Sequence, residues 1–153
     1  MYKKILVPLD SSGLAECVLP HVESIAKGCG VESVVFLHAV DTYNPGFVEA
    51  YFTEDQLKEV RVKNETAARE YLDQVVSRVK LDGVQLEKQL ITGRAAEGIA
   101  DYATKNGVDL IVIATHGRSG VSRWVWGSVA DRVLRSASVP VLMVRAPGCV
   151  PGI

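Results

Sequence analysis

The chain has 153 residues, 48% of them hydrophobic, and its 17 basic and 18 acidic residues give a formal net charge of −1. This length suits one domain, residues 1–153, and the dispersed charge gives no basic face for nucleic acid or an anionic membrane. No stretch approaches the roughly 18 apolar residues of a membrane span, and the apolar run at the start is too short for a signal peptide. Because the three cysteines lack disulfide or metal-ligand spacing, we predict a cytoplasmic protein.

The first predicted elements are a buried strand and a helix. Residues 3–9 form the strand, and Pro8 must lie at its end because a central strand cannot spare that N–H group. Residues 10–12, Asp-Ser-Ser, are good N-caps for a helix that we expect to end around residues 28–30. Pro20 falls inside this helix, so we predict a kink in the turn before it.

A strand, a loop, a long helix and an edge strand are predicted next. Residues 33–40 are almost wholly apolar, which is typical of a parallel strand covered on both faces. Residues 41–53 indicate an irregular loop whose role the composition does not reveal. Apolar residues recur at helical spacing over residues 54–80, which predicts a long amphipathic helix. Residues 84–90 alternate between apolar and polar, which favours a half-exposed edge strand.

The last third of the chain contains the most informative pattern. A helix over residues 95–106 and an apolar strand over residues 109–114 precede a loop that Gly117 and Gly127 bracket. A helix then begins, and residues 139–144 form a final apolar strand. Glycines let backbone amides approach a phosphate closely, and the unpaired N–H groups of a helix start add partial positive charge. The sequence therefore predicts an anion-binding loop.

The order of elements predicts an α/β fold. Five strands alternating with helices indicate a parallel five-stranded sheet with helices on both faces, a three-layer sandwich. If the alternating strand is one edge, the simplest strand order is 3-2-1-4-5. In that order the winding reverses between the first and fourth strands, so a ligand crevice should lie beyond residues 8–10 and 114–117. The topology and the glycine loop thus select the same place independently.

The fifth strand would form the other edge of the sheet, yet it is apolar. An uncovered edge of this kind is prone to unwanted pairing. We therefore predict a two-fold homodimer in which this strand pairs with its copy in a second subunit. The residues that would pair are Val141, Leu142, Met143 and Val144.

The glycine loop carries a family resemblance. Ala114-Thr-His-Gly117, nine further residues and Gly127-Ser128 follow the spacing Gly, two residues, Gly, nine residues, Gly-Ser or Gly-Thr. That is the nucleotide pattern of the ATP-binding universal stress proteins, which the chain resembles over essentially its full length. The resemblance implies an adenine nucleotide alpha hydrolase-like fold. Ala114 replaces the first glycine of the pattern, and its methyl group suits the site only if the backbone there is extended.

The resemblance also implies which residues hold the nucleotide. The glycine loop would bind phosphates, Asp10 would accept from ribose hydroxyls, and the backbone of Ala39 would meet adenine. Arg118 and Arg123 are candidate charge partners of the polyphosphate. The candidate residues share positions at strand ends or in the glycine loop: Pro8, Leu9, Asp10, Ala39, Ile113, Ala114, His116, Gly117, Arg118, Gly120, Gly127, Ser128 and Val129.

Several of these residues have a plain structural alternative. Ser128 is placed as the N-cap of the last helix, with Asp131 completing a box-like arrangement, and capping alone would explain it. Asp10 could act only as a cap of the first helix, and His116 could be structural. His38, inside an apolar strand, is expected to be a core or wall residue rather than a ligand.

The leading functional hypothesis is a homodimeric, nucleotide-dependent regulator of a stress response. ATP is the expected cofactor, with AMP or ADP as alternatives and the need for Mg²⁺ left open. A slow or partner-stimulated ATP hydrolase is one alternative, although no G-x-x-x-x-G-K-[ST] motif or kinase-type lysine supports it. A dimeric interaction module without a nucleotide is the other, and the departure at Ala114 favours it.

Overall fold

The computed structural model describes residues 1–40, 53–115 and 127–145, in which strands alternate with helices. The central part of the glycine loop and all but the last residue of the loop predicted over residues 41–53 lie outside that part of the chain. In chain order the elements are β1 (Lys4–Leu9), a short 3-10 helix (Ala15–Val18), α1 (Leu19–Cys29), β2 (Ser33–Val40), α2 (Glu54–Arg78), β3 (Gln85–Thr92), α3 (Ala95–Lys105), β4 (Leu110–Ala114), α4 (Ser128–Ser136) and β5 (Val141–Val144).

The five strands form one parallel sheet in the order β3-β2-β1-β4-β5, which confirms the predicted topology. β1 pairs with β2 along its whole length. Its pairing with β4 is shorter and is confined to Ile5 and Leu6. Pro8, which has no N–H group to donate, comes just after this pairing ends. The ladder between β1 and β4 therefore stops before the carboxyl ends of the two strands.

Helices cover both faces of the sheet, so the predicted three-layer sandwich is confirmed. The 3-10 helix, α1 and α2 pack on one face, where Ile5 and Leu72 belong to the same buried cluster. On the other face α3 and α4 pack through Ile99 and Val133, which contact Leu6 and its neighbours. Successive strand residues thus enter opposite cores, which explains why the inner strands are continuously apolar.

The single kinked helix predicted after β1 is wrong in its first half. Residues 15–18 form a 3-10 helix, and α1 begins only at Leu19, with Pro20 in its first turn. The first N–H groups of a helix have no acceptor within it, so proline costs no helical hydrogen bond there and needs no kink. The predicted end is confirmed, because α1 closes at Gly30, whose φ of 64° is left-handed.

α2 is the longest helix, with 25 residues. It begins with a capping box, in which Thr53 accepts from the Gln56 amide and the Gln56 side chain accepts from the Thr53 amide. Its buried residues lie only in its second half: Ala68, Leu72 and Val75. Among the described helices, α2 included, none is both long and apolar enough to cross a membrane.

β3 and β5 are the edge strands. Every residue of β3 is exposed or partly buried, while Leu86 and Leu90 pack toward the core, as the alternating pattern predicts. β5 pairs with β4 on one side. Its apolar side chains are incompletely covered, and Leu142 is 38% exposed.

Candidate functional site

The candidate site lies where the chain leaves β1 and β4. These strands are neighbours in the sheet, and their register sets Ile5 opposite Leu110. Because parallel strands have their carboxyl ends at the same end of a sheet, Asp10 and Thr115 both follow strands at that end. Leu9 and Ala114, the last residues of the two strands, are buried in the same cluster. The two strand ends that the topology selects therefore belong to one buried cluster, and the crevice beyond them stays a prediction.

A backbone hydrogen bond joins the two ends of the glycine loop at the carboxyl end of β4. The Gly127 amide donates to the Thr115 carbonyl at 2.7 Å, and the Thr115 amide donates to the Val144 carbonyl at 2.8 Å. α4 therefore begins directly beside the carboxyl end of β4. Four candidates, His116, Gly117, Arg118 and Gly120, lie between these ends and outside the described residues, as does Arg123.

α4 begins without a side-chain cap. Gly127 is its N-cap residue, and within the described part of the chain no capping side chain accepts from the first helical amides. The prediction that Ser128 caps this helix with help from Asp131 is therefore wrong. Ser128 is the first helical residue, the Asp131 amide donates to the Gly127 carbonyl at 3.0 Å, and the Asp131 carboxylate accepts from Arg135 at 3.0 Å. The amides of Ser128 and Val129 have no acceptor within the helix and carry the positive end of its dipole.

Gly127 is not required by its own backbone conformation. Its φ of −48° and ψ of 133° are accessible to any L-residue. A side chain here would stand at the helix start, beside the amides that could meet an anion.

Ala114 is compatible with the site despite its departure from the glycine pattern. It is the last residue of β4, pairs with Val144 and is 7% exposed. Among the described non-glycine residues only Ser11 has a positive φ. Ala114 therefore has the extended backbone that its methyl group requires, and the objection that this residue raises against the motif is removed.

Asp10 lies immediately after β1 and is held by Ser12. Its Oδ1 accepts from the Ser12 amide at 3.1 Å and from the Ser12 hydroxyl at 2.6 Å. The Ser12 Oγ accepts in turn from the amide of Ala15, the first residue of the 3-10 helix, at 3.1 Å. Ser12, not Asp10, is thus the residue that binds a helical amide, and the capping role considered for Asp10 is wrong.

Ser11 joins the end of β1 to the end of β2. Its φ of 66° places it in the left-handed region, and its Oγ is hydrogen-bonded to His38 Nε2 at 2.9 Å. His38 is 7% exposed, and its ring meets the Tyr71 ring edge-on, with centroids 6.0 Å apart. The expectation that His38 is a core or wall residue is confirmed. The sequence did not predict the bond between His38 and Ser11. The only sign of it was a histidine near the end of an apolar strand.

α2 is joined to the 3-10 helix that follows Asp10. Arg78 forms an ion pair with Glu16 at 3.0 Å, which links α2 to the 3-10 helix. Burial raises the pKa of the Tyr71 hydroxyl well above its ordinary value, and the Glu16 carboxylate raises that pKa further. Tyr71 is therefore neutral at physiological pH. No sequence spacing predicted this group, since its members are far apart in the chain.

The other candidate residues complete the two strand ends. Pro8, Leu9, Ile113 and Ala114 are buried, and Ala39 is half-buried near the end of β2. Together with Asp10 and the start of α4 they lie at the carboxyl end of the sheet. Within residues 1–40, 53–115 and 127–145, no group of three His, Cys, Asp or Glu side chains could hold a metal ion.

Comparisons with known proteins show the family and the fold of the chain. The model of the Universal stress protein family matches residues 1–145. A universal stress protein of Methanocaldococcus jannaschii is 33% identical over 96% of this chain and 84% of its own length. The solved structure of MJ0577, from the same organism, has a TM-score of 0.84 at 29% identity and covers 97% of this chain and 99% of its own. The universal stress protein of Archaeoglobus fulgidus, solved in complex with dAMP, has a TM-score of 0.62 at 25% identity, covering 93% and 97%.

Proposed function

Since this chain belongs to the universal stress protein family, we propose that it binds ATP in the crevice beyond the carboxyl ends of β1 and β4. AMP and ADP are the alternative occupants. The observation that carries the proposal is the start of α4, which lies at the end of β4 because the Gly127 amide is bonded to Thr115, and whose N-cap glycine has no side chain to bind the helical amides. Such a helix start is an anion-binding arrangement.

The phosphate end of the proposed site is α4 together with the glycine loop. The backbone amides of Ser128 and Val129 and the hydroxyl of Ser128 are donors suited to phosphate oxygens. Ser128 is exposed at the first helical position, where its hydroxyl is not used to cap the helix. Gly117, Gly120, His116 and Arg118 are proposed to complete this end from the loop.

The nucleoside end of the proposed site is formed by the first and second strands. Asp10 accepts from the ribose hydroxyls, and the backbone of Ala39 meets adenine. Pro8, Leu9 and Ile113 form the apolar walls. Between the phosphate end and the nucleoside end of the proposed site lies the stretch in which β1 and β4 are no longer paired, since their ladder ends at Leu6 and Ile111. The dAMP complex of the Archaeoglobus fulgidus relative supports adenine nucleotide as the ligand class.

The proposed role of the bound nucleotide is regulatory, in a cytoplasmic homodimer. A two-fold contact through β5 would cover the apolar edge that leaves Leu142 partly exposed. A shift of β4 on nucleotide binding would then change the subunit contact, because β5 pairs with β4 from Ile111 to Ala114. Turnover is not part of this proposal, and we expect phosphate release below about 1 per second, the low end of enzyme turnover.

Isothermal titration calorimetry of nucleotide-free protein tests the proposal directly. ATP, AMP and GTP are titrated in turn, with and without Mg²⁺. We expect saturable binding of ATP or AMP and much weaker binding of GTP, whose base differs at the edge that the Ala39 backbone would meet. Absence of adenine nucleotide binding, together with absence of nucleotide in freshly purified and denatured protein by mass spectrometry, contradicts the proposal.

A further inference from the structure

We propose that Ser12 is a positioning residue, which orients the Asp10 carboxylate toward the two hydroxyls of a ribose. This inference rests on the proposed nucleotide-binding function. It concerns how the site distinguishes a ribose from a sugar that lacks those hydroxyls. It assigns Ser12 a task that differs from capping a helix.

Ser12 makes two hydrogen bonds to one oxygen of Asp10. Its amide and its hydroxyl both donate to Oδ1, at 3.1 and 2.6 Å. The terminal torsion of an aspartate has broad minima, so a carboxylate without such partners samples many orientations. A ribose diol presents two donors at a fixed spacing, and it is best met by a carboxylate whose plane is already set. Two donors on Oδ1 provide that restraint before any ligand arrives.

The turn that carries Ser12 is itself held on both sides. On one side, the Ser12 hydroxyl oxygen accepts from the Ala15 amide at 3.1 Å, which anchors it to the 3-10 helix. On the other, Ser11 has a left-handed φ of 66° and is hydrogen-bonded to the buried His38 at 2.9 Å. A left-handed serine persists only where its surroundings impose it. The turn is therefore preorganised rather than shaped by the ligand.

A purely structural role for Ser12 would predict different behaviour. A cap of the 3-10 helix needs only the bond from Ala15 and gives no reason for the Ser12 hydroxyl to donate to Asp10 as well. Loss of a cap would affect every nucleotide equally. Loss of a positioning residue would affect only those nucleotides that offer ribose hydroxyls to Asp10.

The experiment compares the affinities of ATP and 2′,3′-dideoxyATP by calorimetry. In the natural protein we expect dideoxyATP to bind about 10- to 100-fold more weakly, as hydrogen bonds to a charged group imply. Ser12→Ala should weaken ATP about 3- to 10-fold and leave dideoxyATP unchanged. Ser12→Asp keeps an acceptor for the Ala15 amide but loses the hydroxyl that donates to Asp10, so the ratio of the two affinities should fall there as well. Ser12→Thr, which keeps the hydroxyl, should retain the natural ratio.

Ser24→Ala is the matched control. It removes an exposed serine hydroxyl that donates to the Pro20 carbonyl on α1, away from Asp10. Equal weakening of both nucleotides in Ser12→Ala and Ser12→Asp, which leaves the ratio of the two affinities at its natural value, would overturn the inference. Equal affinity of the natural protein for both nucleotides would overturn it too, while leaving nucleotide binding intact. Failure of the natural protein to bind ATP would defeat the proposed function, and the inference with it.

Discussion

The Gly127 amide donates to the Thr115 carbonyl at 2.7 Å, across a gap of eleven residues in the sequence. This bond sets the start of α4 beside the end of β4. The loop between the two residues therefore begins and ends at the carboxyl end of β4. Amides at the helix start and the carboxylate of Asp10 consequently lie at the same end of the sheet, although more than a hundred residues separate them in the chain.

Substitution of Gly127 by leucine tests the phosphate end of the proposed site. The backbone there has φ −48° and ψ 133°, which leucine adopts without strain, so the fold should persist. The added side chain would stand between the helical amides and a phosphate, and we expect ATP affinity to fall at least about 10-fold, the loss of one or two charge-assisted hydrogen bonds. Calorimetry measures this change.

Gly28→Leu is the control for this substitution. Gly28 lies in α1, and an added Cβ would meet no atom within 4 Å. α1 runs from the carboxyl end of β1 toward the start of β2, so Gly28 lies near the amino ends of the strands, away from the proposed site. Its variant should bind ATP as the natural protein does. Equal ATP affinities for the two leucine variants would argue against a phosphate at the start of α4.

Substitution of Leu142 by lysine tests the proposed dimer. Leu142 is 38% exposed on the edge strand β5, and a two-fold contact through β5 would bring the two copies of the new charge together. We expect the natural protein to sediment as a dimer at micromolar concentration and Leu142→Lys as a monomer. Val62→Lys, at an exposed site on α2, should remain dimeric. A monomeric natural protein would refute the predicted assembly.

Asp109 should give the stability a measurable pH dependence. Its carboxylate accepts from the Lys4 and Lys3 amides, at 2.8 and 2.7 Å, and these bonds lower its pKa below the ordinary 3.8. The stabilisation is present above pH 3.8 and is lost as the pH falls through the lower pKa of the folded protein.

Asp109→Asn should therefore lower the free energy of unfolding at pH 7. Because the site is near the surface, we expect a loss of only about 0.5–1 kcal/mol. The difference from the natural protein should shrink below pH 4 in urea titrations. Asp82→Asn, at an exposed carboxylate in the turn before β3, should change little. A difference that stays constant from pH 7 to pH 3 would contradict the assigned cause.

The two halves of α2 should contribute unequally to stability. Leu72 is 1% exposed and packs against the sheet, so Leu72→Ala should cost about 2–5 kcal/mol of unfolding free energy. Val62, ten residues earlier on the same helix, is 56% exposed. Val62→Ala should change stability by less than about 0.5 kcal/mol. Chemical denaturation measures both values, and similar losses at the two positions would show that the first half of α2 is packed as well.

The periodicity and the apolar runs were enough to predict all five strands, their order and the layers of the sandwich. Parallel strands covered on both faces have a signal that needs no tertiary information, since each residue must be apolar whichever core it enters. The crevice followed from the same topology. The prediction of a single kinked helix after β1 is wrong because it places Pro20 in the interior of that helix. Pro20 lies instead in a first turn, where its missing N–H group is harmless.

The sequence by itself determined the sheet, its order and the end of the sheet at which a ligand crevice should lie. Only the tertiary structure decided that Gly127 rather than Ser128 is the N-cap of α4, that Ala114 is extended, and that Ser12 and His38 hold the turn around Asp10. Hydrophobic periodicity is a local property, repeated over many residues. Hydrogen bonds such as that between Ser11 and His38 join residues far apart in the chain, and their geometry exists only once the strands are paired.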